Sequence, residues 1–270
     1  MKPRVCVVGS VNMDLIVTCP RLPIPGETVT QGEFAEVPGG KGANQALAAY
    51  RAGADTTFVG AVGDDAIGEA ALANLAKARV DLSGVARVEG VPTGVASIVV
   101  DAKGENQIAV APGANVELAP GDVATAGFDA VLCQLEITDE AVVAAARQAT
   151  GLVCINAAPA RPLPEYIVER ADVIIVNETE NAALSDQLAG YAGLLVITYG
   201  ARGAEAFRNG VSVGSATPPV VQPIDTVGAG DAFCGSLVAD LARGLGIEET
   251  LANACDAGAL ATTIPGAQFL

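Results

Sequence analysis

The sequence predicts an α/β protein in which helices cover both faces of a mostly parallel central sheet, giving three layers. Short apolar runs of strand length alternate with longer amphipathic stretches along the chain, and this alternation favours parallel strand pairing. The composition agrees, because the chain has 31 glycines and many alanines, while aromatic residues make up only 4% of it. Small side chains allow helices to pack closely on a sheet.

The alternation begins at residues 5–9, an apolar run that predicts a buried first strand. Residues 42–53 have the apolar spacing of a helix that a glycine ends. Further strands are predicted at 56–60, 130–135, 152–156, 173–176 and 194–198, and further helices at 66–79, after Thr138 as an N-cap, at 229–244 and at 248–264. In such sheets, ligands bind beyond the carboxyl ends of the strands.

Two segments interrupt this rhythm. Residues 15–38 alternate in polarity and contain several prolines and glycines, and residues 94–110 have the pattern of a hairpin that turns at 102–105. They predict a small flap of antiparallel strands beside the main sheet, with two edge strands as the alternative. Since no repeat or low-complexity linker interrupts the chain, we expect one domain over residues 1–270, into which segments of roughly 11–40 and 91–112 are inserted.

The charge of the chain excludes several classes of partner. It carries 31 acidic and 15 basic side chains, a formal net charge of −16 and a sequence pI of about 4.2. Nucleic acids and anionic lipids are bound by clustered Lys and Arg, so neither is an expected partner. No apolar run reaches the roughly 18 residues of a membrane span, and the first one is too short for a secretory signal. We therefore expect a cytoplasmic protein.

The absence of histidine limits the chemistry. It removes His metal ligands, His general bases and every Ser-His-Asp scheme, so acid–base work must fall to Asp, Glu, Lys, Cys or Tyr. The six cysteines are scattered and none forms a Cys-x-x-Cys pair. We expect them to be buried, reduced thiols.

The strongest motif is Asp225-Thr-Val-Gly-Ala-Gly-Asp231, which directly precedes an apolar helix. Its small residues, Gly228, Ala229 and Gly230, allow close backbone approach, and the N–H groups at a helix N-terminus attract an anion. A carboxylate at Asp231 could deprotonate a hydroxyl that then attacks a phosphoryl group. A simple N-cap is the alternative, although capping does not require Gly-Ala-Gly before the Asp.

A second glycine-rich segment, residues 38–44, also opens a helix. It is not a Walker loop, because Gly-Lys-Ser/Thr occurs nowhere in the chain. Its glycines, among them Gly40 and Gly42, would let a polyhydroxylated ligand touch the backbone, while Lys41 and Asn44 supply donors. The alternative is a plain helix-entry turn.

A third motif, Gly9-Ser-Val-Asn-Met-Asp14, follows the first strand. Asn12 and Asp14 alternate around Met13 and can therefore face the same side. Amide and carboxylate groups suit vicinal sugar hydroxyls, because together they donate and accept hydrogen bonds. The alternative is an ordinary turn after a strand.

Three weaker candidates follow later strands. Glu136 comes after the 130–135 run and could bind a ligand or decorate a loop. Asn177-Glu-Thr-Glu180 could hold Mg²⁺ waters and phosphate, or could cap a helix. The turn at residues 198–203 contains Gly200 and Gly203 and could wrap a nucleotide.

Taken together, these motifs resemble the ribokinase branch of the PfkB carbohydrate-kinase family over residues 5–268, in family order. The motif at 225–231 marks the family. Residues 10–14 together with residues 39–44 point to the branch, since fructokinase-like and ketodeoxygluconate-kinase-like relatives usually lack the lysine that stands here at Lys41. The resemblance implies a ribokinase-like fold with the flap as a β lid, and ATP-dependent phosphorylation of D-ribose at O5. A kinase of another sugar or of a nucleoside, and a non-catalytic sugar- or nucleotide-binding relative, stay as alternatives.

The resemblance also implies roles for residues. Asp231 would be the catalytic base, and the backbone N–H groups of residues 228–231 would form the anion hole. The implied sugar ligands are Asn12, Met13, Asp14, Gly40, Lys41, Gly42, Asn44, Glu136 and Asp231. The implied nucleotide ligands are Asn177, Glu180, Thr198, Gly200, Arg202, Gly203, Gly230 and Cys255, with Glu180 supporting Mg²⁺. The implied monovalent-cation ligands, for K⁺, are Asp225, Val227, Ala261, Ile264 and Gly266.

The lid of such proteins closes over the sugar and often pairs two subunits, so a homodimer is implied. Three features depart from the family pattern. The segment between Asn181 and Leu195 is short and lacks much of a helix. Relatives usually continue beyond Gln268 through a serine that helps to close the cation site. Cys255 stands near the expected adenine, where Asn or His is frequent.

Overall fold

The computed structural model describes residues 2–269, which form two β-sheets and the helices that pack on them. In chain order the strands are β1 (Arg4–Val8), β2 (Asn12–Thr18), β3 (Glu33–Gly39), β4 (Asp55–Gly63), β5 (Asp81–Val88), β6 (Gly94–Val100), β7 (Asn106–Ala111), β8 (Ala130–Cys133), β9 (Leu152–Asn156), β10 (Val173–Asn177), β11 (Leu194–Thr198), β12 (Ala204–Arg208) and β13 (Val211–Ala216). The α-helices are α1 (Lys41–Arg51), α2 (Ala66–Ala78), α3 (Asp139–Gln148), α4 (Glu165–Arg170), α5 (Glu178–Ala183), α6 (Ser185–Leu188), α7 (Ala229–Arg243) and α8 (Ile247–Ala261).

The larger sheet has nine strands in the order β13-β12-β11-β10-β9-β8-β1-β4-β5. All neighbours from β11 to β5 pair in parallel, and only β12 and β13 at one edge are antiparallel. Apart from β5 at the edge, the parallel strands are largely apolar and are buried on both faces, as such sheets require. The predicted α/β fold class with a mostly parallel central sheet is therefore confirmed.

Helices cover both faces of this sheet because successive strand residues face opposite sides. Val7 belongs to the core cluster under α1, α2, α7 and α8, while Val8 belongs to the cluster under α3 and α4. Thr138 caps α3 as expected, since its hydroxyl oxygen accepts from the Ala141 N–H at 3.3 Å. All six cysteines are buried free thiols, five of them in these layers and Cys19 just after β2.

Helices α1 and α7 pack unusually closely at Gly235. A Cβ atom at this position would lie 2.5 Å from both the Ala48 Cβ atom and the Gln45 carbonyl oxygen. Only a residue without a side chain allows this approach. The contact brings the first turns of the two helices together, and with them the 39–44 and 225–231 loops.

The second sheet has four strands in the order β3-β2-β6-β7. The β6–β7 hairpin is antiparallel as predicted, and β2 also pairs antiparallel with β3. However, β2 and β6 pair in parallel, so the expectation of purely antiparallel strands is wrong at this pair. The reason lies in the main sheet. Strands β1 and β5 run in the same direction. A short connection joins β1 to β2 and another joins β5 to β6, so β2 and β6 enter the second sheet in the same direction.

Several boundaries also differ from the sequence-based expectations. The last helix ends at Ala261 rather than at residue 264, because residues 262–264 bond in tighter i to i−3 turns. Strands β5, β12 and β13 were not expected. The helical part of the 181–195 segment is the end of α5 and the four-residue α6, consistent with its expected shortage of helix. Within residues 2–269, none of the helices is both long and apolar enough to cross a membrane.

Candidate active site

Polar side chains from distant parts of the chain meet where the carboxyl ends of the central strands face the N-termini of α1 and α7. The 9–14 segment follows β1, Glu136 follows β8, and Asn177 ends β10. The 39–44 loop opens α1, and the 225–231 loop opens α7. This is the edge of the sheet at which parallel α/β folds bind ligands.

Asp231 lies at the centre of this group and is only 8% exposed. Its Oδ2 atom accepts a hydrogen bond from Asn44 Nδ2, and its Oδ1 atom accepts one from Gln45 Nε2, both at 2.9 Å. Asp231 is the third residue of α7 and Gly228 holds the N-cap position, so the alternative that Asp231 simply caps this helix is wrong. The side chain is directed at α1 instead.

The ionisation of Asp231 is set by opposing influences. Burial raises its pKa above the ordinary value, the carboxylate of Glu136 acts in the same direction, and Lys41 and the amides of Asn44 and Gln45 oppose them. For Lys41, burial opposes the charged form, yet Asp231, Glu136 and Glu180 together raise its pKa. A half-buried ammonium group thus lies among three carboxyl groups.

The 225–231 loop leaves an open space above the N-terminus of α7. Gly228 has φ +77°, and a Cβ atom on it would lie 2.5 Å from the Ala267 Cβ atom. A Cβ atom on Gly230 would meet no heavy atom within 4 Å. The N–H groups of the first helical turn have no partner within their own helix. The arrangement can therefore receive an anion beside Asp231.

The 39–44 loop packs directly on the 9–14 segment. A Cβ atom on Gly40, whose φ is +89°, would lie 2.7 Å from the Asn12 backbone nitrogen, and one on Gly42 would lie 2.6 Å from the Ser10 backbone nitrogen. Glycine is needed at both positions. These contacts bring two of the predicted motifs into one site.

Carboxylates and amides line the contact between the 39–44 loop and the 9–14 segment. Glu136 Oε2 accepts from Ser10 Oγ at 2.5 Å and from the Lys41 backbone N–H at 3.2 Å. Burial, with help from the charges of Glu136 and Asp231, raises the pKa of Asp14 to about 6. Asn12 Oδ1 accepts from Asn115 Nδ2 at 2.8 Å.

Met13 is placed differently from its neighbours. Its side chain is buried in the core cluster, on the opposite face of β2 from Asn12 and Asp14. The expectation that Met13 lines the site therefore needs correcting, because strand alternation leaves only its backbone on that side.

The predicted nucleotide residues cluster at the ends of β10 and β11. Asn177 and Glu180 form a reciprocal capping box: Asn177 Oδ1 accepts from the Glu180 N–H and Glu180 Oε2 from the Asn177 N–H, both at 2.8 Å. The helix-capping alternative is thus realised in α5. It leaves the second Glu180 oxygen available, and burial raises the pKa of this carboxyl group.

Of the remaining nucleotide candidates, Gly230 lies in the first turn of α7 and the others lie beside β11 and α8. Thr198 Oγ1 donates to the Val176 carbonyl oxygen at 3.4 Å, and Gly200–Arg202 form a 3-10 turn that ends at Gly203 with φ +100°. Cys255 is buried in α8, with Sγ 3.7 Å from the Ala216 carbonyl oxygen. Burial raises the pKa of this thiol to about 11, so it is neutral.

The predicted cation ligands are joined by backbone contacts. Asp225 Oδ1 accepts from the Val227 N–H at 3.0 Å, and Asp225 Oδ2 accepts from the Gly266 N–H at 2.9 Å. The Ile224 and Asp225 N–H groups donate to the Thr262 carbonyl oxygen, which ties the loop to the turn containing Ala261 and Ile264. Oxygen donors of this type fit a hard cation, since each carboxylate oxygen keeps a second lone pair. Residues 2–269 contain no cluster of three Asp, Glu or Cys side chains that could hold a metal ion.

Sequence reasoning missed several polar residues that contact the site. They are Ser10, Gln45, Asn115, Gln134, Asn156 and Gln268. One signal could have found two of them. Gln134 and Asn156 are amides at the carboxyl ends of apolar strand runs, the same position that drew attention to Asn12 and Asp14.

The comparisons with known proteins agree with this geometry. The model of the pfkB family of carbohydrate kinases matches residues 2–270. The chain is 39% identical to the ribokinase of Bacillus subtilis (strain 168) over 279 residues, covering 98% of this chain and 94% of that protein. It is 35% identical to the ribokinase of Lactococcus lactis over 280 residues, covering 98% of this chain and 92% of that protein.

Solved structures show the same fold. The ribokinase of Thermotoga maritima superposes with a TM-score of 0.90 at 29% identity, covering 99% of this chain and 95% of that chain. The Arabidopsis thaliana ribokinase complexed with ribose and ATP gives a TM-score of 0.89 at 29% identity, covering 98% and 94%. The resemblance inferred from the motifs is confirmed, and the chain belongs to the pfkB family of carbohydrate kinases.

Proposed function

We propose that the protein transfers the γ-phosphoryl group of ATP to O5 of D-ribose. One observation carries the proposal: the buried carboxylate of Asp231 lies beside the open N-terminus of α7 and is bonded to Asn44 of the 39–44 loop. Groups suited to accept a proton, to receive an anion and to bind hydroxyls therefore lie together at one edge of the sheet. The ribokinases to which this chain is similar suggest the sugar, and the Arabidopsis thaliana ribokinase complexed with ribose and ATP suggests the nucleotide.

The sugar would lie between the 9–14 segment and the 39–44 loop. Asn12, Asp14, Asn44 and Glu136 offer amide and carboxylate groups to its hydroxyls, and Lys41 offers an ammonium donor. The backbones of Met13, Gly40 and Gly42 line the same space. The glycines support this role, because a side chain at either position would fill the joint between the two segments.

Asp231 would act as the general base. It takes the proton from the O5 hydroxyl as this oxygen attacks the γ-phosphorus, and the bond from phosphorus to the bridging oxygen of ADP breaks. The N–H groups of residues 228–231 stabilise the negative charge of the transferring group without any reorganisation. Because burial raises its pKa, Asp231 is also a better proton acceptor than an exposed carboxylate.

Two cations belong to the proposal. Mg²⁺ would neutralise phosphate charge when bound with ATP. Glu180 and Asn177 would hold its waters, while Thr198, Gly200, Arg202, Gly203, Gly230 and Cys255 would lie along the nucleotide. K⁺ would be held by Asp225 and by the carbonyls of Val227, Ala261, Ile264 and Gly266, and its contribution would be to order the 225–231 loop.

We further propose a single domain in which the second sheet is a lid over the sugar, and a homodimer formed through this lid. Its face on the Asp14 side carries Ile16, Ile98, Ile108 and Val110 in neighbouring cross-strand positions. Ile108 and Val110 are 57% and 54% exposed. A contiguous apolar surface of this kind favours a protein partner, and a second copy satisfies it. Buried free thiols support a cytoplasmic location.

Coupled detection of ADP release across a panel of pentoses, hexoses and nucleosides, with Mg²⁺ and K⁺ present, tests the activity. We expect the highest kcat/KM with D-ribose, and phosphorus NMR should place the product's phosphate on O5. A higher kcat/KM with another sugar or a nucleoside would reassign the substrate. Ribose binding by calorimetry without any turnover of folded protein would instead favour a non-catalytic binder.

A further inference from the structure

Behind Asp231, away from the space proposed for the sugar, lies a row of three buried amide side chains. Gln45 and Gln134 are fully buried and Asn156 is 8% exposed. Each comes from a different element: Gln45 from α1, Gln134 from the end of β8 and Asn156 from the end of β9. None belongs to the predicted sugar or nucleotide ligands. A row of buried polar groups is costly unless its members pair with one another.

The direction of every hydrogen bond in this row follows from one backbone group. The Ile175 carbonyl oxygen can only accept, and it accepts from Asn156 Nδ2 at 3.3 Å. Asn156 Oδ1 must therefore face Gln45, where it accepts from Gln45 Nε2 at 2.9 Å. Gln45 Oε1 is then left to face Gln134 and accepts from Gln134 Nε2 at 2.6 Å.

The second hydrogen of Gln45 Nε2 is directed at Asp231 Oδ1, at 2.9 Å. Both hydrogens of this amide are thus used, and its oxygen is used as well. Turning the amide over would place its oxygen against the Asp231 and Asn156 oxygens. A donor consequently faces Asp231 Oδ1 whether Asp231 is ionised or not.

In this arrangement the side-chain oxygen of Gln134 is left without a hydrogen bond from the described residues. This Oε1 atom is buried and finds no hydrogen-bond partner within residues 2–269. A buried unpaired oxygen is unfavourable and calls for an explanation. The orientation that leaves it unpaired is the one that supplies Gln45 Oε1 with a donor.

Gln45 differs in this respect from its neighbour Asn44. Asn44 also donates to Asp231, but it opens toward the site and is a candidate sugar ligand. Gln45 has no exposed surface, so it cannot touch a sugar or a nucleotide. The direct contact of Gln45 with the proposed reacting groups is its hydrogen bond to Asp231.

We propose that Gln45 is a positioning residue that fixes the orientation of the Asp231 carboxylate and stabilises its ionised form, with Asn156 and Gln134 holding the Gln45 amide in the required direction. The proposal rests on Asp231 being the base. An N–H donor to a carboxylate favours the charged form. Removing it should leave Asp231 less well aimed and protonated over a wider range of pH.

The test compares Gln45→Met with the unaltered protein and with Thr125→Val. Thr125 is a matched buried site, where the variant loses one hydrogen bond to the Ala145 carbonyl of α3. Helix α3 packs in the other core cluster from α1 and α7. We expect Gln45→Met to lower kcat roughly 10-fold or more, with a small change in the KM for ribose. The acid limb of its pH–rate profile should move to higher pH. Thr125→Val should change neither kcat nor the acid limb of the pH–rate profile.

Gln45→Glu keeps the size of the side chain and guards against a folding failure in Gln45→Met. It replaces the N–H donor with a second carboxyl group against Asp231, and the charge of that group raises the pKa of Asp231, so the acid limb should again move to higher pH. If folded Gln45 variants keep both kcat and the acid limb of the unaltered protein, the positioning role is wrong. If Asp231→Asn also keeps its turnover, the base assignment itself has failed, so the two failures are distinguishable.

Discussion

Gln268 Nε2 donates a hydrogen bond to Asn44 Oδ1 at 3.0 Å, so the segment that follows α8 contacts and supports the 39–44 loop. The same atom lies 3.5 Å from the Gly39 carbonyl oxygen. Two residues earlier, the Gly266 N–H donates to Asp225 of the 225–231 loop. Residues 266–268 therefore join the loop proposed to hold the sugar to the loop proposed to hold the phosphoryl group.

Gln268→Ala tests this link on the sugar side. The variant loses both donations, which frees Asn44 to turn away from Asp231, and we expect the KM for ribose to rise about 10-fold while the KM for ATP changes little. Steady-state kinetics with each substrate varied in turn gives both values. Gln148→Ala, at an exposed position in the last turn of α3, is the control. An unchanged KM for ribose would show that Asn44 needs no support.

Gly228→Ala tests the phosphoryl side. The new methyl group would meet Ala267 at 2.5 Å on a residue with positive φ, so the loop must shift and the N–H groups lose their aim. We expect kcat to fall roughly 10²-fold, with ribose binding by calorimetry retained. Gly244→Ala is a matched control, because Gly244 caps the other end of α7 with φ +82° and has open space around it.

In the control, only the backbone strain is added, so stability should fall by about 1 kcal/mol and kcat should stay unchanged. Thermal unfolding of both variants separates strain from function. Equal kcat values for Gly228→Ala and Gly244→Ala would contradict an anion-binding role for the 225–231 loop.

The pH dependence of ribose affinity tests Asp14. Burial and the neighbouring carboxylates raise its pKa to about 6, and only the ionised form accepts hydrogen bonds from sugar hydroxyls through both oxygens. Affinity measured by calorimetry should therefore weaken as the pH falls through 6. In Glu136→Gln the midpoint should move to lower pH, because one of the charges that raise the pKa is removed. A flat profile across pH 6 would argue against Asp14 as a sugar ligand.

Ile108→Glu tests the homodimer. The charge would stand in the apolar lid face formed by Ile16, Ile98, Ile108 and Val110, and sedimentation equilibrium should change from the mass of a dimer to that of a monomer. Phe34→Glu is the matched control, since Phe34 is 64% exposed but lies on the opposite face of the same sheet, and it should stay dimeric. The proposed interface would be wrong if the unaltered protein were a monomer, or if the unaltered protein, Ile108→Glu and Phe34→Glu all had the same mass.

The sequence was most informative where a strand is buried on both faces. The runs at 152–156 and 194–198 agree with β9 and β11 to the residue, because four consecutive apolar side chains in each leave few alternatives. Strands β12 and β13 escaped prediction. Their residues mix polar and apolar types on a half-exposed antiparallel edge, and β5 is similarly mixed.

The residues of the site also differ in how well the sequence predicts them. Glycine-rich loops before helices carry a local signal, so the 39–44 and 225–231 loops could be found from spacing alone. The bond from Gln45 to Asp231 spans 186 positions in the chain and depends on the close approach of α1 and α7 at Gly235. No local pattern encodes such a pairing. For this reason the direct ligands were proposed from the sequence, while the residues that support them came only from the structure.

Ribose-dependent ADP release by Asp231→Asn tests the central claim most directly. The change preserves shape but removes the proton acceptor, so we predict a fall in kcat of at least about 10²-fold, with ribose still bound in calorimetry. Asp122→Asn, an exposed carboxyl group in the Pro120–Asp122 turn, should keep the turnover of the unaltered protein. Turnover of Asp231→Asn within a few-fold of that control would contradict the assignment of Asp231 as the base.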